Sequence, residues 1–204
     1  MKHNHHTLLL ATRNPGKVEE IRLALSGLDV GIRTGIDMDG LPDVEETEDT
    51  LEGNARLKSE TLHRLTGMPT LSDDTGLEVT ALGGDPGVRS ARFAGEPSDP
   101  ARNRTLLLEK MKDQSDRSAR FRTVMAFTDG TGTHLFEGIC EGAITRSGRG
   151  EGGFGYDALF EPAGLAQTFA ELDLDIKNEI SHRGAALRRF VAFLKIHWGS
   201  VREG

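Results

Sequence analysis

The apolar positions of this chain recur with two different periods, and the switches between them mark out alternating strands and helices. Thr7 to Thr12 reads TLLLAT, a short apolar run that suits a buried strand. A helix is predicted directly after it. Asn14 is a favourable N-cap, Pro15 suits the first helical position, and Val18, Ile21, Leu25 and Leu28 follow at the three-to-four spacing of one buried face, with Gly27 at the expected end. Val30 to Thr34 reads as a second strand. An acidic loop holding Asp43, Glu45, Glu46, Glu48 and Asp49 then leads to a helix over roughly Leu51 to Leu65. Thr70-Leu71-Ser72 reads as a strand ending in Asp73-Asp74-Thr75-Gly76, after which Leu77-Glu78-Val79 resumes the extended pattern. Gly83 to Pro100, rich in Gly, Pro and Asp, is expected to be an ordered surface loop, and Pro100 to Met111 a third helix. Ala119 to Asp129 and His134 to Thr145 alternate as two strands joined by Asp129-Gly130-Thr131-Gly132, a hairpin signal. A glycine-rich loop, Gly148 to Gly155, and a short strand, Asp157 to Phe160, precede a long helix capped by Ser181, whose inner face is Ala186, Phe190, Phe193, Leu194 and His197. The order is mixed α/β, with a hairpin region set between αβ units.

Composition narrows the class. The chain has 204 residues, 36% of them hydrophobic and 28% charged, which suits a globular protein with one good-sized core, so a single domain is expected. Lys+Arg 25 against Asp+Glu 32 gives a formal charge of −7, which excludes a generally basic nucleic-acid binder. Cys140 is the only cysteine and no CxxC or Cys/His ligand spacing exists, so neither a disulfide scaffold nor a structural zinc site is expected, and a reducing cytoplasm fits best. No apolar run approaches a membrane span, and MKHNHH lacks a signal-peptide core. The three histidines in those six residues read as a loose terminus able to bind metal adventitiously.

Four segments carry candidate chemistry. Thr12-Arg13-Asn14-Pro15-Gly16-Lys17 hands a strand over to a helix whose N–H groups and positive dipole end suit a phosphate, although it lacks the P-loop spacing and also reads as an ordinary capped helix with a solvated lysine. Glu46 with Asp73-Asp74 offers hard carboxylate oxygens of the kind Mg²⁺ takes, and one carboxylate beside a metal can serve as general base on a water. The bland alternative is a turn with good Asx chemistry. Gly148-Arg149-Gly150-Glu151-Gly152-Gly153 matches G-x-G-x-x-G by letters, but no helix follows it, so it is not a dinucleotide fingerprint. It reads instead as a flexible flap presenting Phe154 and Tyr156 to a flat ring. Lys177-Asn178-Glu179-Ile180-Ser181-His182-Arg183-Gly184 places bases in a first helical turn, where the dipole favours acids, so His182 and Arg183 are expected to point at an acceptor or an anion.

Taken together these segments resemble the inosine triphosphate pyrophosphatase family, also called XTP/dITP diphosphatases, which clear non-standard purine nucleotides. The resemblance spans nearly the whole chain. It runs from Thr12-x-Asn14-x-x-Lys17 through Glu46-Thr47, Glu52-Gly53-Asn54-Ala55 with Lys58, Ser72-Asp73-Asp74-Thr75-Gly76-Leu77 and Pro86-Gly87-Val88-Arg89-Ser90-Ala91-Arg92, to Gly152-Gly153-Phe154-Gly155-Tyr156-Asp157 and Ser181-His182-Arg183-Gly184. The resemblance implies a Mg²⁺-dependent hydrolase that cuts a purine nucleoside triphosphate between its α and β phosphates. It also implies an elongated mixed α/β sheet flanked by helices, two lobes of one catalytic domain around a central active-site cleft, and a homodimer. Carried over by position, Thr12, Arg13, Asn14, Pro15, Gly16, Lys17 and Lys58 would hold the triphosphate, and Glu46 and Asp74 the metal. Asp74 matches the general base and Thr75 sits beside it. Phe154, Gly155, Tyr156 and Asp157 would close over the base, and Lys177, His182 and Arg183 would line the purine end.

Three positions depart from the family pattern: Ala158 follows Asp157 where proline is usual, Gly53 replaces a common acid, and Phe93 stands for tyrosine. Two other readings compete with the purine pyrophosphatase. One is a catalytically silent nucleotide sensor, against which Glu46 and Asp74 argue. The other is a pyrophosphatase for modified pyrimidine triphosphates, against which the Phe154–Asp157 and Ser181–Arg183 segments argue.

Overall fold

The computed structural model describes residues 6–35, 37–38 and 41–198. Its elements are β1 (His6–Leu10), α1 (Pro15–Leu25), β2 (Val30–Thr34), α2 (Leu51–Thr66), β3 (Thr70–Val79), β4 (Pro86–Gly87), α3 (Pro100–Lys110), β5 (Ser118–Asp129), β6 (Gly132–Ile144), β7 (Phe160–Pro162), α4 (Leu174–Ile180) and α5 (His182–His197), with short 3₁₀ turns between. The strands join in one mixed sheet of order β2-β1-β3-β5-β6-β7, with β4 on β3. β1 pairs in parallel with β2 and β3, as a strand–helix–strand connection requires, whereas β4 and β7 pair antiparallel with β3 and β6.

The chain divides into two compact units. The first comprises residues up to Asp74, Val124–Glu137 and from Gly184 on; the second comprises Thr75–Thr123 and Gly138–Arg183. The strands β3, β5 and β6 each contribute residues to both units. In the first unit Leu8, Leu10, Leu71, Met125 and Phe127 from the sheet pack against Ile21 and Leu25 of α1 and Ala186, Leu187, Phe190 and Leu194 of α5. In the second, Leu77, Phe121 and Phe160 pack with Leu107, Met111, Tyr156 and Phe169.

The helix starts follow the capping residues. The Asn14 side chain accepts from the N–H groups of Gly16 and Lys17, Thr50 caps α2 through the Gly53 N–H, and Asp99 caps α3 through those of Ala101 and Arg102. α2 ends at Gly67, whose φ of 69° is the left-handed cap that glycine adopts without strain.

Three sequence expectations are corrected. β3 does not end at the aspartates but runs on to Val79, because Asp73 and Asp74 are buried and bonded and so do not turn the chain out to water. Asp157–Leu159 is a 3₁₀ turn, and the strand begins only at Phe160. The segment around Lys177 is a separate short helix, α4, whose end at Ile180 leaves Ser181 extended before α5 begins.

Phe190 is fully buried and its ring lies 5.5 Å from both Phe127 and Phe136. Phe190→Ala is therefore expected to cost about 3–5 kcal/mol of stability. Urea unfolding measures it, and a shift below about 1 kcal/mol would show that α5 does not anchor this core.

Candidate active site

The first unit holds a dense array of charge. Lys58 Nζ, on α2, donates to Glu46 Oε1 at 2.6 Å and to the Asp73 carbonyl at 2.7 Å, and lies 3.6 Å from Asp74 Oδ1. Asn54, one turn earlier on the same helix face, donates to Asp74 Oδ2 at 3.2 Å and holds the acidic loop by accepting from the Glu48 N–H at 2.9 Å. Lys17, in the first turn of α1, pairs with Asp73 Oδ2 at 3.0 Å. Two cations thus face three carboxylates, an excess of one negative charge when all are ionised. Burial pushes Asp74 up to about 6; Lys58 opposes the shift and the neighbouring Glu46 adds to it. Burial alone would lower Lys58, but Asp74, Glu46 and Asp73 together hold it above its ordinary value.

The β1–α1 turn lies beside this array, and a small open surface pocket is lined in part by Thr12, Arg13, Asp43, Val44 and Lys58. The N–H groups of Gly16 and Lys17 are not free, since the Asn14 side chain accepts from both at 2.9 and 3.3 Å and the Thr12 hydroxyl accepts from Asn14 N–H. An incoming anion must displace that cap or use Lys17 and the helix dipole. Arg13 is exposed, with Nη2 donating to the Leu41 carbonyl and Nη1 3.8 Å from Asp43.

The acids fit a hard divalent cation. The donors are carboxylate oxygens only, the array carries an excess negative charge, and the Glu46 side chain is the more exposed of its acids at 24%. A side chain at position 53 would press on Glu48 and Thr50 in this conformation, which gives the glycine found there a steric reason.

The second unit holds an aromatic and cationic cluster. Asp157 Oδ2 accepts from Lys177 Nζ at 2.7 Å and from the Phe154 N–H at 2.8 Å, so one carboxylate fixes both the lysine and the loop. Lys177 Nζ and Arg183 Cζ lie 4.7 and 5.4 Å from the Phe154 ring centre. Arg183 also donates to the Thr75 hydroxyl at 3.1 Å, which itself bonds the Thr123 hydroxyl. His182 stacks on Phe121 at 4.5 Å. Gly153 has φ of 69°, and a Cβ there would collide with the Asp157 carboxylate.

Thus Lys17, Glu46, Lys58 and Asp74 come together in one unit, and Thr75, Phe154, Asp157, Lys177 and Arg183 in the other. Two expectations fail. Tyr156 does not present its ring to a ligand: it is buried in the second core and its hydroxyl donates to the Ser90 carbonyl at 2.9 Å. The Phe154–Asp157 loop is pinned, not flexible, because Arg104 also donates to the Gly155 carbonyl at 2.8 Å. Asn54 and Asp73 carry more of the site than the motifs indicated. The i, i+4 spacing of Asn54 and Lys58 was the available signal.

Fold and array together define an α/β protein with a buried cluster of carboxylates and lysines in its first unit. The chain belongs to the Ham1 family, whose model matches residues 8–193. It is 49% identical to a dITP/XTP pyrophosphatase of Porphyromonas gingivalis over 189 residues, covering 92% of this chain and 96% of that one. A protein of the same name from Chlorobaculum tepidum is 46% identical, with 91% of each chain covered. The solved Ham1 protein of Staphylococcus aureus superposes with a TM-score of 0.85 at 36% identity, covering 94% of this chain and 99% of that one.

Because the folded protein holds Asp74 near 6 against an ordinary 3.8, ionising it costs stability at neutral pH, and the cost disappears once both states are protonated. Asp74→Asn is therefore expected to stabilise the metal-free protein by about 1–2 kcal/mol at neutral pH. The gain should shrink as pH falls through about 6 and vanish below 3.8. Urea midpoints across that range decide it; a loss of stability at neutral pH would mean that Asp74 is held chiefly as a partner of Lys58.

Proposed function

We propose that this protein hydrolyses non-standard purine nucleoside triphosphates, ITP, dITP and XTP, at the α–β phosphoanhydride bond, giving the monophosphate and pyrophosphate. The observation that carries the reading is Asp74: a buried carboxylate with a raised pKa, held between Asn54 and Lys58 beside Glu46. The names of the relatives support the substrate class, the charged array of the first unit suits phosphate, and the aromatic–cation cluster of the second suits a flat ring. Lys17, Lys58 and the α1 N-terminus bind the phosphate oxygens. Asp74 orients a water and accepts its proton as the bridging bond breaks. Glu46 and Asp74 would hold Mg²⁺, which when bound supplies neutralisation of phosphate charge.

Phe154 offers its face to the purine, with Lys177 and Asp157 fixing the loop. Arg183 and His182 favour the exocyclic oxygen on C6 over the amino group that adenine carries there, since a fixed donor facing an amino group is left unpaired. We further propose a cytoplasmic homodimer, as the family resemblance implies; no helix among the described residues is long and apolar enough to cross a membrane.

The test is hydrolysis of ITP, XTP, dITP, ATP, GTP and dTTP with and without Mg²⁺, with pyrophosphate and phosphate quantified separately. Pyrophosphate from the first three alone, and only with metal, is the expected result. Phosphate release, indifference to the base, or tight ITP binding without turnover overturns it. Asp74→Asn should lower kcat by about 100- to 10,000-fold while nucleotide binding persists. Arg183→Lys, which keeps the charge but not the planar fork, should reduce the ITP/ATP ratio of kcat/KM by about tenfold or more. An equal fall on both nucleotides would rule out base reading by Arg183.

A further inference from the structure

The β5–β6 hairpin and the end of α5 bring together three ligand-type side chains that the proposed reaction does not use. Asp129 closes β5, His134 lies near the start of β6, and His197 ends α5, with one ligand atom of each within 4.8 Å of the other two. All three belong to the first unit. His197 Nε2 lies 2.7 Å from Asp129 Oδ2. His134 Nε2 is buried and meets no hydrogen-bond partner among the described residues.

We propose that this cluster is a binding site for a divalent transition cation, with Zn²⁺ as its occupant, held by Asp129 Oδ2, His134 Nε2 and His197 Nε2 and with a fourth position open to water. Two imidazoles and a carboxylate form a donor set that a borderline-soft ion prefers and a hard ion such as Mg²⁺ does not. The set is also oriented in advance. Asp129 Oδ1 accepts from the Thr131 N–H at 2.8 Å and the Thr131 hydroxyl at 2.7 Å, which leaves Oδ2 for the cluster. The His197 and His134 rings both pack on Phe193, each with centroids 4.6 Å apart. Tetrahedral zinc at ordinary bond lengths separates its ligand atoms by about 3.4 Å. The Asp129–His197 pair must therefore open slightly and the wider pairs close, movements of the order of one bond length or less. Side-chain exposures of 20% for His197 and 10% for Asp129 leave the ion a way in.

A plain Asp129–His197 hydrogen bond tying α5 to the hairpin accounts for two of the three residues. It leaves His134 Nε2 buried with an unmet lone pair or proton, an arrangement that costs free energy and that a cation relieves. The cluster is independent of the acids proposed to hold Mg²⁺, so its failure and theirs are read separately.

The experiment uses the full chain carrying His3→Ala and His5→Ala, which removes terminal imidazoles that would bind metal by themselves. It is stripped with chelator and titrated with Co²⁺ followed by visible absorption, and with Zn²⁺ by calorimetry, in excess Mg²⁺. One ion per chain and the intense d–d bands of a four-coordinate site are expected. His134→Phe, which keeps the ring against Phe193, and Asp129→Asn should each weaken Zn²⁺ binding by about a hundredfold or more, beyond the roughly 10- to 100-fold typical of losing an outer-shell partner. Far-UV circular dichroism confirms that each variant is folded, with His134→Gln replacing His134→Phe where it is not. Undiminished Zn²⁺ binding in folded His134 and Asp129 variants overturns the proposal. So does the absence of saturable binding once His3 and His5 are gone.

Discussion

Lys58 carries its ammonium into a position only 8% exposed, where burial works against the charge, and it keeps its proton because Glu46, the Asp73 carbonyl and Asp74 surround it. Three segments far apart in sequence meet on that one nitrogen: the acidic loop, α2 and β3. Each brings a group that would be costly to bury alone, and losing the shared Lys58 ammonium would leave the carboxylates around it uncompensated. The same contacts explain why β3 continues through two adjacent aspartates, since their charges are met inside the protein and do not need water.

That arrangement leaves the carboxylates unequal. Asp73 is committed to Lys17 and Lys58 through different atoms, whereas Asp74 shares Lys58 at the longer distance and feels Glu46 beside it. Burial of the array raises the pKa of Asp74 while Lys58 opposes it, so the packing of the array and the basicity of Asp74 have a common origin. A proton acceptor near neutrality arises here from burial beside a second carboxylate, not from a special residue.

The fold was legible where local rules act alone. Asn14 caps α1 as its side-chain chemistry indicates, and the Asp129–Gly132 turn joins two alternating strands. It was less legible where distant residues decide. Nothing near Asp73 announces that Lys17 will meet it, so the sequence reads there as a turn. Tyr156 looks like a ligand-facing aromatic until Ser90, 66 residues away, supplies the acceptor for its hydroxyl. Phe154 and Tyr156 differ in partner, not in local pattern, and the chain is folded so that the first meets cations and the second a carbonyl. The cluster of Asp129, His134 and His197 escaped for the same reason: its third member comes from a helix 63 or more residues further along.

The β1–α1 turn shows how a binding site can be stable before its ligand arrives. An uncapped helix N-terminus leaves N–H groups without acceptors, and Asn14 supplies one carbonyl oxygen to two of them. A phosphate oxygen carries more charge than an amide oxygen and would form stronger bonds at the same place, so exchange of the cap for the ligand is favourable without strain stored in the free protein. Lys17 is arranged in the same way. Its ammonium is held by Asp73 at 3.0 Å with the side chain 18% exposed, close enough to stay ordered and open enough to turn toward a second anion. Both groups thus have an internal partner before any phosphate arrives, which lets one short segment serve folding first and the proposed recognition afterwards.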